Sequence, residues 1–121
     1  MYCAGYIPIV RGSSKSHAQA LSRSKQTVLD NIPMLYFPEG TRSKTGELRQ
    51  FKIGAFKLAQ ETNAEIVPIA LTGTKELLKK GSMTPGKAKV TVNILEPITC
   101  EEAESLDQWA ARTREIISAY R

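Results

Sequence analysis

Residues 37–43 read Phe37-Pro38-Glu39-Gly40-Thr41-Arg42-Ser43 and gather a carboxylate, a guanidinium, two hydroxyls and a glycine into seven consecutive positions. Pro38 has no N–H with which to extend a sheet ladder, so it closes the apolar run of Pro33, Met34, Leu35, Tyr36 and Phe37 before it. Gly40 permits a close backbone bend. A strand that ends in backbone amides, hydroxyls and one arginine suits an oxyanion, most simply a phosphate. Taken alone, the same residues also make a surface loop with a local Glu–Arg pair. A second guanidinium, Arg11, closes an earlier apolar stretch. Two arginines meeting at one site repel unless an anion sits between them.

Those groups need elements to hold them. Tyr6-Ile7-Pro8-Ile9-Val10 is predicted as a short strand between Gly5 and Arg11-Gly12, with Pro8 favouring an edge position. Ser13, Ser14 and Ser16 offer N-cap hydroxyls to a helix of about four turns, with Ala18, Leu21, Val28 and Leu29 as a thin apolar stripe. Asp30-Asn31 ends it, and residues 33–37 form the second predicted strand. A second helix is expected over residues 51–60, with Ile53, Phe56 and Ala59 inward. Lys52, Lys57 and Gln60 face outward, so Lys52 reads as a solvated helix charge. Thr62-Asn63 stops the helix. Residues 65–71 have the continuous apolar character of a strand buried on both faces. Thr72-Gly73-Thr74 then caps a brief helical turn through Leu77 and Leu78. Residues 88–98 alternate, with Val90, Val92 and Ile94 on one face. The final helix carries Leu106, Trp109, Ala110, Thr113, Ile116, Ile117 and Tyr120 on one side.

Strands alternating with helices predict an α/β fold with a partly parallel sheet flanked by helices. Ligands of such sheets bind in loops at the carboxyl ends of strands. Arg11, Glu39 to Ser43 and Thr72-Gly73 all fall at such ends, so Arg11 and Arg42 are expected to face one pocket.

The chain has 121 residues, enough for one domain with its own core. No apolar run approaches the ~20 residues that cross a bilayer, and no secretory leader is expected at the N-terminus. Cys3 and Cys100 lie far apart with neither metal-type spacing nor a disulfide framework, and read as free thiols in a reducing compartment. Charge is uneven: residues 1–60 carry nine Lys/Arg against three Asp/Glu, residues 61–121 eight against nine. A basic front half suits phosphate esters, a coenzyme, nucleic acid or an acidic membrane face.

Three blocks in order resemble the glycerolipid acyltransferase family, in its 1-acylglycerol-3-phosphate (lysophosphatidic acid) acyltransferase branch. Gly5-Tyr6-Ile7-Pro8-Ile9-Val10-Arg11 is similar to the family's second block, although Val10 stands where many members carry an aspartate. Residues 37–43 are similar to the third, and Ile66-Val67-Pro68-Ile69-Ala70 to the fourth. Phe51-Lys52-Ile53-Gly54-Ala55-Phe56 and Glu96-Pro97-Ile98 also look like family sequence.

The resemblance implies transfer of a fatty acyl group from a thioester, acyl-coenzyme A or acyl carrier protein, to the free hydroxyl of lysophosphatidic acid. No cofactor beyond that co-substrate and no metal is implied. Arg11 and Arg42 would grip the acceptor phosphate. Glu39 would align the glycerol or the arginines, Gly40, Thr41 and Ser43 would add donors, and Pro68 would line the acyl side or simply shape a buried strand. The cytoplasmic face of a membrane is the implied location. The family's first block, a histidine followed five places on by an aspartate, is absent. The only histidine, His17, lies after the second block and is followed five places on by Ser22. It is expected to be a polar face residue of the first helix, leaving no catalytic base. Residues 1–121 are therefore expected to be a single, truncated acyltransferase domain of incomplete glycerophosphate acyltransferase-type fold, inactive alone.

The alternative is a non-catalytic basic α/β module for an anionic ligand or nucleic acid. Aromatic residues are not interleaved with the basic ones as single-strand binding requires, and neither helix-turn-helix nor zinc spacing occurs. Nucleic acid is not the expected partner.

Overall fold

A computed structural model describes residue 7 and residues 14–41, 43, 45–74 and 86–120. Helices α1 (Ser14–Leu29), α2 (Gly54–Thr62) and α3 (Leu106–Ser118) combine with strands β1 (Ile69–Thr72) and β2 (Thr91–Ile94) in an α/β arrangement. α1 packs on α2, α2 on α3, and α3 on β1. The predicted strand at residues 6–10 and the helical turn at Leu77 and Leu78 fall outside the described residues, Ile7 excepted.

Both α1 and α2 end as the Asn residues predict. Asn31 (φ 57°) donates its N–H to Val28 O at 3.0 Å, and Ile32 N reaches Thr27 O at 3.1 Å. Asn63 (φ 51°) bonds Gln60 O at 3.3 Å, and Ala64 N bonds Ala59 O at 2.9 Å. This paired closure of the last carbonyls needs a left-handed residue after the helix, which asparagine tolerates. The burial of α1 differs from its predicted stripe. Ala20 and Ser24 are buried while Leu29 is exposed, because small side chains one turn apart allow close approach to α2.

α3 starts with a reciprocal cap. Ser105 Oγ accepts from Gln108 N at 3.2 Å, and Gln108 Oε1 accepts from Ser105 N at 2.8 Å. Its apolar stripe is the one read from the sequence up to Ile117, with Trp109, Ala110, Thr113 and Ile117 buried, while Tyr120 lies beyond the helix and is exposed. Trp109 stands edge-on to Phe56 of α2, the ring centroids 5.6 Å apart at 69°. These two rings, with Phe51, Ala59, Ala70, Ala110 and Ile117, form the core.

The sheet departs from expectation in three ways. First, β1 and β2 pair antiparallel, with Ile69 opposite Ile94 and Thr72 opposite Thr91, and no parallel pair occurs among the described residues. Gly73 (φ 78°) explains the return path: a β-carbon there would lie 2.0 Å from Lys89 O, so only glycine lets the two chains pass. Second, residues 33–37 join no ladder among the described residues, and Leu35 and Phe37 are 70% and 68% exposed. Third, β1 is not buried on both faces. Ala70 is fully buried against α3, whereas Ile69 and Leu71 on the opposite face are only half-buried and their β2 partners, Ile94 and Val92, are exposed. The helices cover the face where Ala70 admits close packing, and the apolar alternation of β2 points away from them.

A charged clasp closes the start of α3. Arg112 donates to both carboxylate oxygens of Glu104 at 2.8 Å and to Thr99 O at 2.8 Å, with Glu101 at 3.3 Å. The hydrogen bonds from Arg112 hold the Glu104 carboxyl below its ordinary range despite desolvation, which opposes the shift. A lowered folded-state value stabilises the protein above the ordinary carboxylate range and loses that contribution as pH falls through the folded value. Glu104→Gln is therefore expected to cost stability at neutral pH and to flatten the acid limb of a melting-temperature profile. At neutral pH the loss should be about 1.5–3 kcal/mol, the range for hydrogen bonds to a charged group. No helix among the described residues is long and apolar enough to cross a membrane.

Candidate functional site

The segment 37–41 is a tight turn with its ends tied down. Gly40 N donates to Phe37 O at 3.0 Å, placing Pro38 and Gly40 second and fourth in a four-residue turn, positions those residues favour. Gly40 takes φ 68°. Lys52 N then donates to Pro38 O at 2.9 Å, and Glu39 Oε2 accepts from Arg49 N at 2.9 Å. Both bonds reach across to the extended segment ahead of α2, so turn and segment lie side by side.

That segment is anchored from behind. Phe51 is buried in the core, and Lys52, next in an extended chain, is exposed on the other side. From α3, Arg114 donates to Leu48 O at 2.8 Å and to Arg49 O at 3.2 Å. Helix α3 thus holds residues 48–49, which in turn hold Glu39.

The sequence-predicted residues fall into three groups. Glu39, Gly40, Thr41 and Ser43 lie in one loop. Glu39 spends one oxygen on Arg49 N, and Ser43 Oγ accepts from Gly46 N at 3.1 Å and lies 3.3 Å from Thr45 Oγ1. Thr41 is exposed. Pro68 is buried, its carbonyl accepting from Leu95 N at 3.0 Å. Arg11 and Arg42 fall outside the described residues, so their expected convergence does too. His17 is exposed on α1 with no carboxylate partner among the described residues.

Sequence reasoning missed Lys52 at this site. A β-carbon on Gly40 would lie 2.9 Å from Lys52 Cε and 3.0 Å from Nζ, so the lysine's end runs across the bare α-carbon of the turn. The signal was the glycine at position 54. Helix α2 begins there and not at Phe51, which leaves Lys52 in the extended segment beside the turn. A shallow depression lined by Phe51, Asp107 and Arg114 includes none of the turn's residues. No cluster of metal-ligating side chains occurs among the described residues.

Chemically, the turn brings the exposed Thr41 and the Lys52 ammonium together on an exposed loop. That set can bind an anion.

Comparison with known proteins gives three findings. The family profile described as Acyltransferase matches residues 1–72. A chloroplast 1-acyl-sn-glycerol-3-phosphate acyltransferase of Brassica napus is 36% identical over 109 residues, covering 88% of this chain and 31% of its own length. The alpha 1-acyl-sn-glycerol-3-phosphate acyltransferase of Mus musculus is 33% identical over 104 residues, 83% of this chain and 36% of its own. The crystal structure of the 1-acyl-sn-glycerophosphate (LPA) acyltransferase PlsC from Thermotoga maritima superposes with a TM-score of 0.78 at 27% identity, over 85% of this chain and 44% of that one. The chain spans less than half the length of each of these relatives.

Proposed function

Because the chain belongs to the acyltransferase family, we propose that it carries the acceptor-binding half of a lysophosphatidic acid acyltransferase site. The acyl group comes from a thioester, acyl-coenzyme A or acyl carrier protein, and passes to the free hydroxyl of 1-acylglycerol 3-phosphate in phospholipid synthesis. Arg11 and Arg42 grip the acceptor phosphate by bidentate hydrogen bonds. Thr41 adds donors, Gly40 gives the turn its bend while its N–H is held by Phe37 O, Glu39 fixes the turn, and Pro68 supports the acyl side. The observation that carries this reading is the Gly40 turn, fastened by Glu39 and Lys52 N, within a block similar to one in that family.

The two-stranded ladder is one margin of a larger, partly parallel sheet in an incomplete glycerophosphate acyltransferase-type domain spanning residues 1–121. The basic front half faces a membrane on its cytoplasmic side, where anionic headgroups attract it. The chain performs no acyl transfer alone, since its only histidine, His17, is exposed and lacks a carboxylate partner among the described residues. A missing general base costs about 10²–10⁴ in rate.

The test is a filter-binding competition on the purified chain. Lysophosphatidate should displace labelled glycerol 3-phosphate, and duplex DNA at the same phosphate concentration should not. Preference for DNA would favour a basic nucleic-acid module, and acyl transfer by the purified chain would overturn the assigned inactivity.

A further inference from the structure

Lysines of the described residues differ in what they face. Lys25 and Lys57 both reach Glu61, at 3.1 Å and 3.9 Å. Lys52 has no carboxylate partner among the described residues. Its last methylenes and ammonium instead lie over Gly40, the closing residue of the turn. Two backbone features keep it there: Lys52 N bonds Pro38 O, and Phe51 is locked into the core. A cation held beside this turn, with no carboxylate partner among the described residues, is arranged for an anion that is not part of the chain. The carboxylate next to Gly40, Glu39, gives its Oε2 to Arg49 N.

We infer that Lys52 is a ligand of the substrate phosphoryl group, closing over it from the Gly40 side of the turn. The inference rests on the acceptor-site reading and adds to it a residue from a separate segment. Gly40 serves it directly, because any side chain there would occupy the space Lys52 crosses. The ammonium supplies a point charge to a dianion, where the arginines supply forked geometry. The shared chemistry is a phosphomonoester, and it has two sources: the acceptor's terminal phosphate, or the 3′-phosphate of coenzyme A.

Calorimetric titration of the whole chain with sn-glycerol 3-phosphate, with coenzyme A and with sodium sulfate tests this. Lys52→Gln should weaken glycerol 3-phosphate on the order of tenfold, the loss expected for one charged hydrogen bond. Lys52→Arg should retain most of the affinity, and Lys57→Gln should change nothing. A larger loss for coenzyme A than for glycerol 3-phosphate would assign the lysine to the donor and overturn the acceptor assignment. Reductive ¹³C-methylation gives a second readout that needs no variant to fold: the Lys52 signal should shift with glycerol 3-phosphate and not with sulfate. Equal binding by wild type and Lys52→Gln, or a Lys52 signal indifferent to ligand, would overturn the inference and leave the acceptor site standing. No binding of glycerol 3-phosphate by the wild type would overturn both.

Discussion

Trp109→Ala is expected to unfold the protein or bring it close to unfolding at room temperature. Trp109 is 1% exposed and is one of the two largest fully buried side chains among the described residues, in edge contact with the other, Phe56. Truncating a buried tryptophan costs about 3–5 kcal/mol in lost transfer energy and residual cavity. Small domains have a total of only about 5–15 kcal/mol. The core among the described residues is a single cluster joining α2, α3 and β1, and no described element covers the Val92–Ile94 side. Denaturant titration followed by far-ultraviolet circular dichroism should show a midpoint shifted far toward zero, or no cooperative transition. Trp109→Phe should cost much less. It keeps the edge contact, and the indole Nε1 is buried with no partner among the described residues, so no hydrogen bond is lost. Equal destabilisation by both variants would place the energy in something other than packing.

Arg42→Ala is expected to cost on the order of 2–5 kcal/mol of binding to glycerol 3-phosphate, roughly a thirtyfold or larger rise in Kd. The magnitude follows from the proposed bidentate grip: removing this fork deprives the phosphate dianion of two charged hydrogen bonds that the remaining cations cannot replace in geometry. Arg42→Lys should recover part of the charge term but not the geometry. Calorimetry on both variants, with circular dichroism to establish that the fold is intact, provides the check. An unchanged Kd for Arg42→Ala would remove this residue from the site.

The sequence was most informative where one side chain decides a local structure. Asn31 and Asn63 stop helices because asparagine accepts the left-handed conformation, and that choice is made within a few residues. The α3 stripe was legible because thirteen residues sample its period more than three times. Residues 33–37 pair with no other described residue, and an apolar run specifies hydrophobicity without specifying a hydrogen-bonding partner. The same limit applies to the apolar run of residues 65–71, where Ala70 and Val67 look alike in sequence but face opposite environments, the first buried and the second 46% exposed. For the candidate site, composition and spacing identified the turn. They could not show that Glu39 would be tied to Arg49, or that Lys52 would cross Gly40, because both depend on a distant segment docking beside the turn.

The bonds from Lys52 N to Pro38 O and from Arg49 N to Glu39 pinch residues 39–51 into a cassette with a closed neck. Its outer reach, around Thr45 and Gly46, can lengthen without moving either side of the neck, since doubling a flexible loop costs only about 0.6 kcal/mol. Novelty in what the loop touches can therefore accumulate at its tip, while Gly40 and the core behind Phe51 keep their places.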